Sequence, residues 1–184
     1  QTEDLGLYNL YNEKIKQVTF TDIDKKIIEK LESFDNFTFD FSQKINNDIE
    51  TGFCIIKFNA KINCVYKDTK KIIVSNGEIL IVKSRVSNIP NFYKLEETPF
   101  YNLLNKRFLI EELESGNLQK IEDKYYLEVF KDNIEINIYF DQKNFYLKGW
   151  ETTDIYNNVV STNIYIKEVN KIVSDDLFDI KKYN

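Results

Sequence analysis

Two short apolar runs joined by Asn76-Gly77 give the clearest pattern in the chain, KIIVSNGEILIV from Lys71 to Val82. Asn-Gly readily adopts the positive φ angles of a two-residue type I′ turn, so the pattern predicts a tight β-hairpin. Pairing outward from that turn places four aliphatic residues on one face and leaves polar residues such as Ser75 on the other. The four are Ile72, Val74, Ile79 and Ile81. The hairpin is therefore predicted to have one wholly apolar face.

Alternation of apolar and polar residues continues along most of the chain. In residues 37–45, Phe37, Phe39 and Phe41 alternate with polar residues, which predicts a half-buried strand with an aromatic face. Further strands are predicted at 52–58, 61–67, 91–95, 124–130, 134–140, 144–150 and 159–168. Short strands at regular spacing with tight turns are typical of an antiparallel meander.

Three segments have helical spacing instead. Residues 7–18 and 21–34 are predicted to open the chain as amphipathic helices, and a short helix within 98–116 interrupts the sheet. Apolar residues of the second and third segments are predicted to cover the apolar face of the sheet as a lid. They are Ile27, Leu31, Phe34, Phe100, Leu103 and Leu104.

Two cysteines, Cys54 and Cys64, lie on neighbouring predicted strands. A two-residue turn at Asn59-Ala60 would send the two thiols to opposite faces. A three-residue turn would make them diagonal neighbours on one face, with a Cβ separation too long for an unstrained disulfide. We therefore expect two free, structural thiols.

Composition excludes several classes of function. The net charge is −5, with basic and acidic residues interspersed, which argues against nucleic-acid binding. The chain has no histidine, so it lacks the usual Ser-His or Cys-His nucleophile pair and any histidine metal ligand. We expect no enzymatic activity, no catalytic residue, no metal site and no cofactor. The remaining candidate is the apolar face of the sheet, either as a plain packed core or as the wall of a cavity for an apolar ligand.

Motifs spread over residues 21–180 resemble, in order and spacing, those of the LolA family. They are Phe41-Ser42-Gln43-Lys44, Gly52 leading to Lys57, Ile73-Val74-Ser75-Asn76-Gly77, Thr98-Pro99-Phe100 with Leu103-Leu104, Asp154 with Asn157-Asn158, and Leu177-Phe178. The resemblance implies an α+β fold, an incomplete and strongly curved antiparallel β-barrel of about nine to eleven strands with a helical lid over its concave face. It implies one LolA-like domain over 1–184, with a helical N-terminus at 5–34, a half-barrel at 37–168, the lid insertion at 98–116 and a C-terminal extension at 169–184.

The LolA family consists of periplasmic carriers of outer-membrane lipoproteins. The resemblance implies a soluble chaperone that accepts acylated lipoproteins from an inner-membrane lipoprotein-releasing transporter and hides their acyl chains in a hydrophobic cavity. An outer-membrane receptor is a further implied partner, and we expect a monomer. The chain contains no methionine, and we expect export to the periplasm through a cleaved signal peptide. The alternatives are a lipid- or lipopeptide-sensing or outer-membrane receptor domain on the same half-barrel, and a structural module with a fully packed sheet.

Alternate residues of a strand share one face, and those on the apolar face are the ones expected to bind lipid. The resemblance adds two candidate contact residues near the turn at residue 58. The predicted lipid-binding residues are Phe37, Phe39, Phe41, Ile72, Val74, Ile79 and Ile81. The family often has Lys-Arg-Pro where this chain has Lys57-Phe58-Asn59, and the arginine ties down the lid. An apolar contact from Phe58 is therefore expected to replace a hydrogen-bonded latch. Ile62, just past the turn at the cavity mouth, is predicted to contact a membrane partner, with ordinary core packing as the alternative.

Overall fold

The computed structural model of the protein describes residues 22–84, 86–87 and 89–183. Helix α1 spans residues 22–33, and two short helices, α2 (Phe100–Leu103) and α3 (Lys106–Glu114), follow within the predicted insertion. The predicted helix at 7–18 lies outside the described residues. Within the described ranges, no helix has both the length and the apolar character needed to cross a membrane.

Eleven strands form one antiparallel sheet. They are β1 (Asn36–Ile45), β2 (Asp48–Lys57), β3 (Lys61–Tyr66), β4 (Ile72–Asn76), β5 (Ile79–Lys83), β6 (Asn91–Lys94), β7 (Leu118–Ile121), β8 (Lys124–Lys131), β9 (Ile134–Phe140), β10 (Leu147–Thr153) and β11 (Val159–Val169). The order across the sheet is β6-β5-β4-β3-β2-β1-β11-β10-β9-β8-β7, which leaves β6 and β7 as edges. The open antiparallel sheet with few helices confirms the predicted fold class, although β7 was not predicted.

The three helices pack against one face of the sheet, here called the inner face. Its apolar side chains form a single buried cluster with those of the helices. The cluster crosses the sheet from β5 to β7, and its sheet residues include Phe37, Phe39, Phe41, Ile56, Ile62, Ile73, Leu80, Leu118, Leu127, Ile138, Phe140 and Ile164. The main core of the protein therefore lies between the inner face and the helices.

The predicted hairpin forms with a different register. Val74 pairs with Ile81 rather than with Ile79, so the two turn residues are Gly77 and Glu78. The Asn76 side chain explains this shift, because its Oδ1 accepts hydrogen bonds from the backbone N–H groups of Glu78 and Ile79 at 3.0 and 2.9 Å. Gly77 supplies the positive φ, at 108°.

The C-terminal segment covers part of the opposite, outer face. Two 3₁₀ helices, Asp175–Phe178 and Ile180–Tyr183, lie against β3, β4 and β5. Phe178 is buried there, as are Val74 and Ile81, and none of the three belongs to the main cluster. Asn63 Nδ2 fixes the segment by donating to the Leu177 carbonyl at 2.7 Å. The outer face therefore has a small apolar core of its own.

Cys54 and Cys64 form a disulfide, so the expectation of free thiols was wrong. The turn between β2 and β3 has three residues, 58–60, and this length places the two cysteines directly opposite each other, not diagonally. Their Cα atoms are 4.1 Å apart, close to the spacing of a directly opposed, non-hydrogen-bonded antiparallel pair. Both side chains face inward between Phe39 and Ile73.

Candidate functional site

An aromatic wall occupies the middle of the inner face. Phe37, Phe39 and Phe41 alternate along β1, which pairs on both sides, and all three are buried. The Phe37 and Phe39 ring centroids are 5.5 Å apart. Phe39 also meets Trp150 of β10 edge to face at 6.2 Å. The wall therefore runs from the β1–β2 pair across to β10.

The predicted lid residues all pack in the same cluster as this wall. Five are buried, and Phe100 is partly buried with its ring 6.4 Å from that of Trp150. Directly after α1, the Phe34 ring lies 5.7 Å from the Phe37 ring. The five buried residues are Ile27, Leu31, Phe34, Leu103 and Leu104. The structure therefore brings the predicted cover and the predicted aromatic wall into direct contact.

The four hairpin residues of the predicted lipid-binding set are not part of this wall. Ile72, Val74, Ile79 and Ile81 do share one face, but it is the outer face. A row of directly paired residues crosses the inner face from β1 to β5: Phe39, Cys54, Cys64, Ile73 and Val82. Ile73 and Val82 of the hairpin therefore face inward, and the predicted residues face outward. Both faces of the hairpin are apolar because the C-terminal segment covers the second one, so hydropathy alone could not choose between them.

Ile62 is fully buried within the main cluster. It pairs with Ile56 and Ser75 in the interior of the sheet. Its predicted position at an accessible cavity mouth was therefore wrong, and the structure shows the core packing that was the alternative. In this conformation, Ile62 offers no surface to a partner.

The turn between β2 and β3 is tied to the lid by polar contacts. The Ala60 N–H donates to the Leu104 carbonyl at 3.0 Å, and the Lys106 N–H donates to Asn59 Oδ1 at 3.3 Å. The expectation that an apolar contact would replace a hydrogen-bonded latch was therefore wrong. The tether uses backbone groups and the Asn59 side chain. Comparing Phe58 with the arginine of the family motif could not reveal these contacts.

Lys106 adds a cation to this junction. Its ammonium group donates to the Phe34 carbonyl and lies 4.8 Å from the centre of the Phe58 ring. Burial lowers the pKa of Lys106, while the nearby carboxylates of Asp35 and Glu32 act in the opposite direction. The positive charge thus comes from the lid and not from the turn.

A buried carboxylate lies in the first turn of α1. Asp24 is 7% exposed, and within residues 22–84, 86–87 and 89–183 no group donates a hydrogen bond to its Oδ1. Burial raises the pKa of this carboxyl to about 6. The docked position of α1 therefore favours the protonated form of Asp24.

Four surface clefts have volumes of about 350 to 570 Å³, and none of these four is lined by Phe37, Phe39 or Phe41. The cleft of about 570 Å³ reaches Leu147 and Ile164 of the main cluster. One of about 510 Å³ lies beside the tether, between Phe58 and α3. The helices fill the inner face with their own side chains, so an apolar ligand would have to displace them. Within the described part of the chain, no group of three potential metal-ligating side chains comes together.

Trp150 is the site residue that sequence reasoning missed. It falls at the end of the predicted strand 144–150, but the register of β10 shifts between Leu147 and Gly149. Gly149 lies against the Thr162 backbone, where a Cβ atom would come within 2.1 Å of the carbonyl oxygen. The irregularity turns Trp150 inward, and an isolated glycine before the tryptophan was the available signal.

No family model and no curated protein sequence matches the chain. In structure, it is similar to a LolA superfamily protein from Nitrosomonas europaea, with 12% identity, a TM-score of 0.46, and coverage of 86% of this chain and 98% of that one. It is also similar to a DUF1329 family protein from Desulfovibrio piger, with 8% identity, a TM-score of 0.43, and coverage of 90% and 98%. It is similar as well to LprF from Mycobacterium bovis, with 10% identity, a TM-score of 0.40, and coverage of 85% of this chain and 97% of that one.

Proposed function

We propose that this protein is a soluble periplasmic carrier that shields lipoprotein acyl chains against the inner face of its sheet. The supporting observation is that a continuous aromatic and aliphatic wall is covered by short helices through side-chain packing. At α2 and α3 the polar ties are the few contacts around Ala60, Asn59 and Lys106. A cover held in this way can exchange with another apolar group.

The size of the hydrophobic effect favours such an exchange. Each buried acyl CH₂ contributes about 0.8 kcal/mol, so several long chains in an open cavity would exceed the practical limit of about 18–21 kcal/mol for non-covalent binding. A carrier must also release its cargo. If the acyl chains displace Phe100, Leu103 and Leu104, the net binding free energy is the difference between burying the acyl chains and burying these three side chains. This smaller difference keeps binding reversible.

The disulfide supports the proposed compartment. Cys54 and Cys64 are both buried, and bridges of this kind form and persist in oxidising compartments such as the periplasm. A periplasmic location is also where acylated lipoproteins, an inner-membrane releasing transporter and an outer-membrane receptor would be partners of such a carrier.

Trp150 provides the test, because it is the only tryptophan in the chain and touches both the wall and the lid. A triacylated lipopeptide with brominated acyl chains should quench its fluorescence, since bromine quenches at contact distance. The same lipopeptide without bromine should change the emission far less. Binding without any quenching by the brominated chains would contradict acyl burial at the inner face.

A matched control moves the reporter to the other side of the sheet. In the variant Phe53→Trp/Trp150→Phe, the single tryptophan would lie on the outer face, where Phe53 is partly exposed. Its fluorescence should be insensitive to the brominated lipopeptide, and equal quenching of both proteins would indicate non-specific adsorption. Transfer of the lipopeptide between two vesicle populations would then distinguish a carrier from a sensing domain, which binds but does not deliver.

A further inference from the structure

Exposed apolar side chains gather at one end of the sheet. Strand direction places the turns after β1, β3, β5, β8 and β10 at this end. Large apolar residues exposed in or beside these turns are Ile49, Val86, Ile89, Phe130, Ile155, Tyr156 and Val159. Scattered exposed apolar residues are normal, but a concentration at one end indicates a contact surface.

The connection between β5 and β6 has the most exposed of these residues. Val86 is 100% exposed and Ile89 is 75% exposed. On the adjoining edge strand β6, Phe92 and Tyr93 are each about half exposed. Phe92 pairs with Ile81 and Tyr93 with Leu80, so the two rings lie on opposite sides of the edge strand. Together with Val86 and Ile89 they expose apolar groups along the loop and the strand, and we call these four residues the β6 patch.

Charge separates the β6 patch from the other apolar turns at this end. Between Lys83 and Tyr93 the sequence has two basic residues, Lys83 and Arg85, and no acidic one, although the chain as a whole has a charge of −5. The turn that carries Ile155 begins instead at Asp154. The β6 patch thus combines exposed apolar groups with a local positive charge, which complements an anionic surface.

Local hydrogen bonds lower the cost of moving this loop from water into a less polar environment. The Ser87 N–H donates to Ser84 Oγ at 3.2 Å, and the Ile89 N–H donates to Ser87 Oγ at 3.3 Å. Backbone donors that are already paired cost less to remove from water. Lys94 lies at the other end of β6, opposite Ile79, where it pairs with Glu97 at 3.7 Å, and it is not part of the β6 patch.

We propose that the β6 patch docks on the surface of an anionic phospholipid bilayer. Val86 and Ile89 enter the boundary between headgroups and acyl chains, Phe92 and Tyr93 lie at headgroup level, and Lys83 faces the lipid phosphates. This surface lies at the edge of the sheet and includes no residue of the main cluster. The proposal therefore does not depend on acyl-chain binding.

Vesicle sedimentation tests the docking. The wild-type protein should bind vesicles of phosphatidylglycerol and phosphatidylethanolamine at least tenfold more tightly than neutral phosphatidylcholine vesicles, and added salt should weaken the binding. The variant Val86→Ser/Ile89→Ser should lose at least tenfold in affinity for the anionic vesicles. Lys83→Gln should reduce both the affinity and its dependence on salt.

Ile172→Ser is the matched control, because Ile172 is also fully exposed but follows β11 at the opposite end of the sheet. Its binding should remain within twofold of wild type. The proposal is overturned if the wild-type protein does not bind the anionic vesicles, and a protein partner would then be the remaining occupant of the patch. It is also overturned if neutral vesicles bind equally well. Equal losses in Ile172→Ser and Val86→Ser/Ile89→Ser would also overturn it. Quenching of Trp150 by brominated chains in vesicle-free solution reports on the inner face separately.

Discussion

Lys106 lies over Phe58, with its ammonium nitrogen 4.8 Å from the ring centre. The same ammonium donates to the Phe34 carbonyl at the end of α1. One side chain on α3 therefore contacts both the β2–β3 turn and the other covering element. This position makes it the polar centre of the closed lid.

Replacing Lys106 should loosen the lid. In Lys106→Ala, the cation–π contact and the hydrogen bond to Phe34 are lost, which together contribute about 1–3 kcal/mol. Part of that free energy opposes ligand entry, so the affinity for an acylated lipopeptide should rise about three- to tenfold while the free energy of unfolding falls. Titration of Trp150 fluorescence and urea denaturation measure the two effects.

Arg107→Ala is the control for this prediction. Arg107 is the next residue of α3, but its side chain is 88% exposed and pairs only with Glu111 one turn away. Its removal should change neither quantity by more than about 0.5 kcal/mol. Equal effects of the two substitutions would show that Lys106 acts through overall charge and not through the tether.

Asp24 should make the docking of α1 dependent on pH. Its pKa is about 6 in the folded protein and about 3.9 in an unfolded chain, so its contribution to stability is greatest at low pH and is lost as pH rises from about 4 to 6. Asp24→Asn should therefore stabilise the protein at pH 7 by about 1–3 kcal/mol, with little difference at pH 4. Thermal unfolding over this pH range measures the change. Asp22→Asn, at an exposed position in the same turn, should not reproduce it.

Removing the disulfide should weaken the β2–β3 hairpin. The bridge closes a loop with a sequence separation of 10, and Cys54→Ala/Cys64→Ala should lose about 2–3 kcal/mol of unfolding free energy. Reductant should lower the stability of the wild type but leave that of the double variant unchanged. Detection of two free thiols in the native protein by alkylation and mass spectrometry would contradict the bridge.

Phe178 should anchor the C-terminal segment. Phe178→Ala removes a buried ring from the C-terminal segment that packs on β3 and β4, and we expect a loss of about 3 kcal/mol together with faster hydrogen exchange in these strands. Leu177 is the neighbouring control, because it is partly exposed and its carbonyl, not its side chain, accepts from Asn63. Leu177→Ala should cost less than about 1 kcal/mol.

Local patterns predicted the strands well, because alternation reports directly on a sheet with one buried face. The phenylalanines of β1 show this most clearly, since polar residues separate them. The hairpin at Ile72–Val82 shows the limit. Its outer face is apolar because the C-terminal segment, about a hundred residues later in the sequence, packs on it, and a local window contains no information about that contact. The cysteine prediction failed for a different reason, since a three-residue turn that pairs Lys57 with Lys61 also pairs Cys54 directly with Cys64, and not diagonally as we had expected.

Among the strands of residues 36–169 that the structure describes, β1 and β11 are the one hydrogen-bonded pair that is distant in sequence. All other strand pairs join neighbours along the chain and can form by local zipping. The β1–β11 seam instead brings together residues such as Gln43 and Thr162, which are 119 positions apart and hydrogen-bonded at 3.0 Å. Closing so long a loop costs entropy before any contact compensates for it, so this seam should set the folding rate of the whole protein.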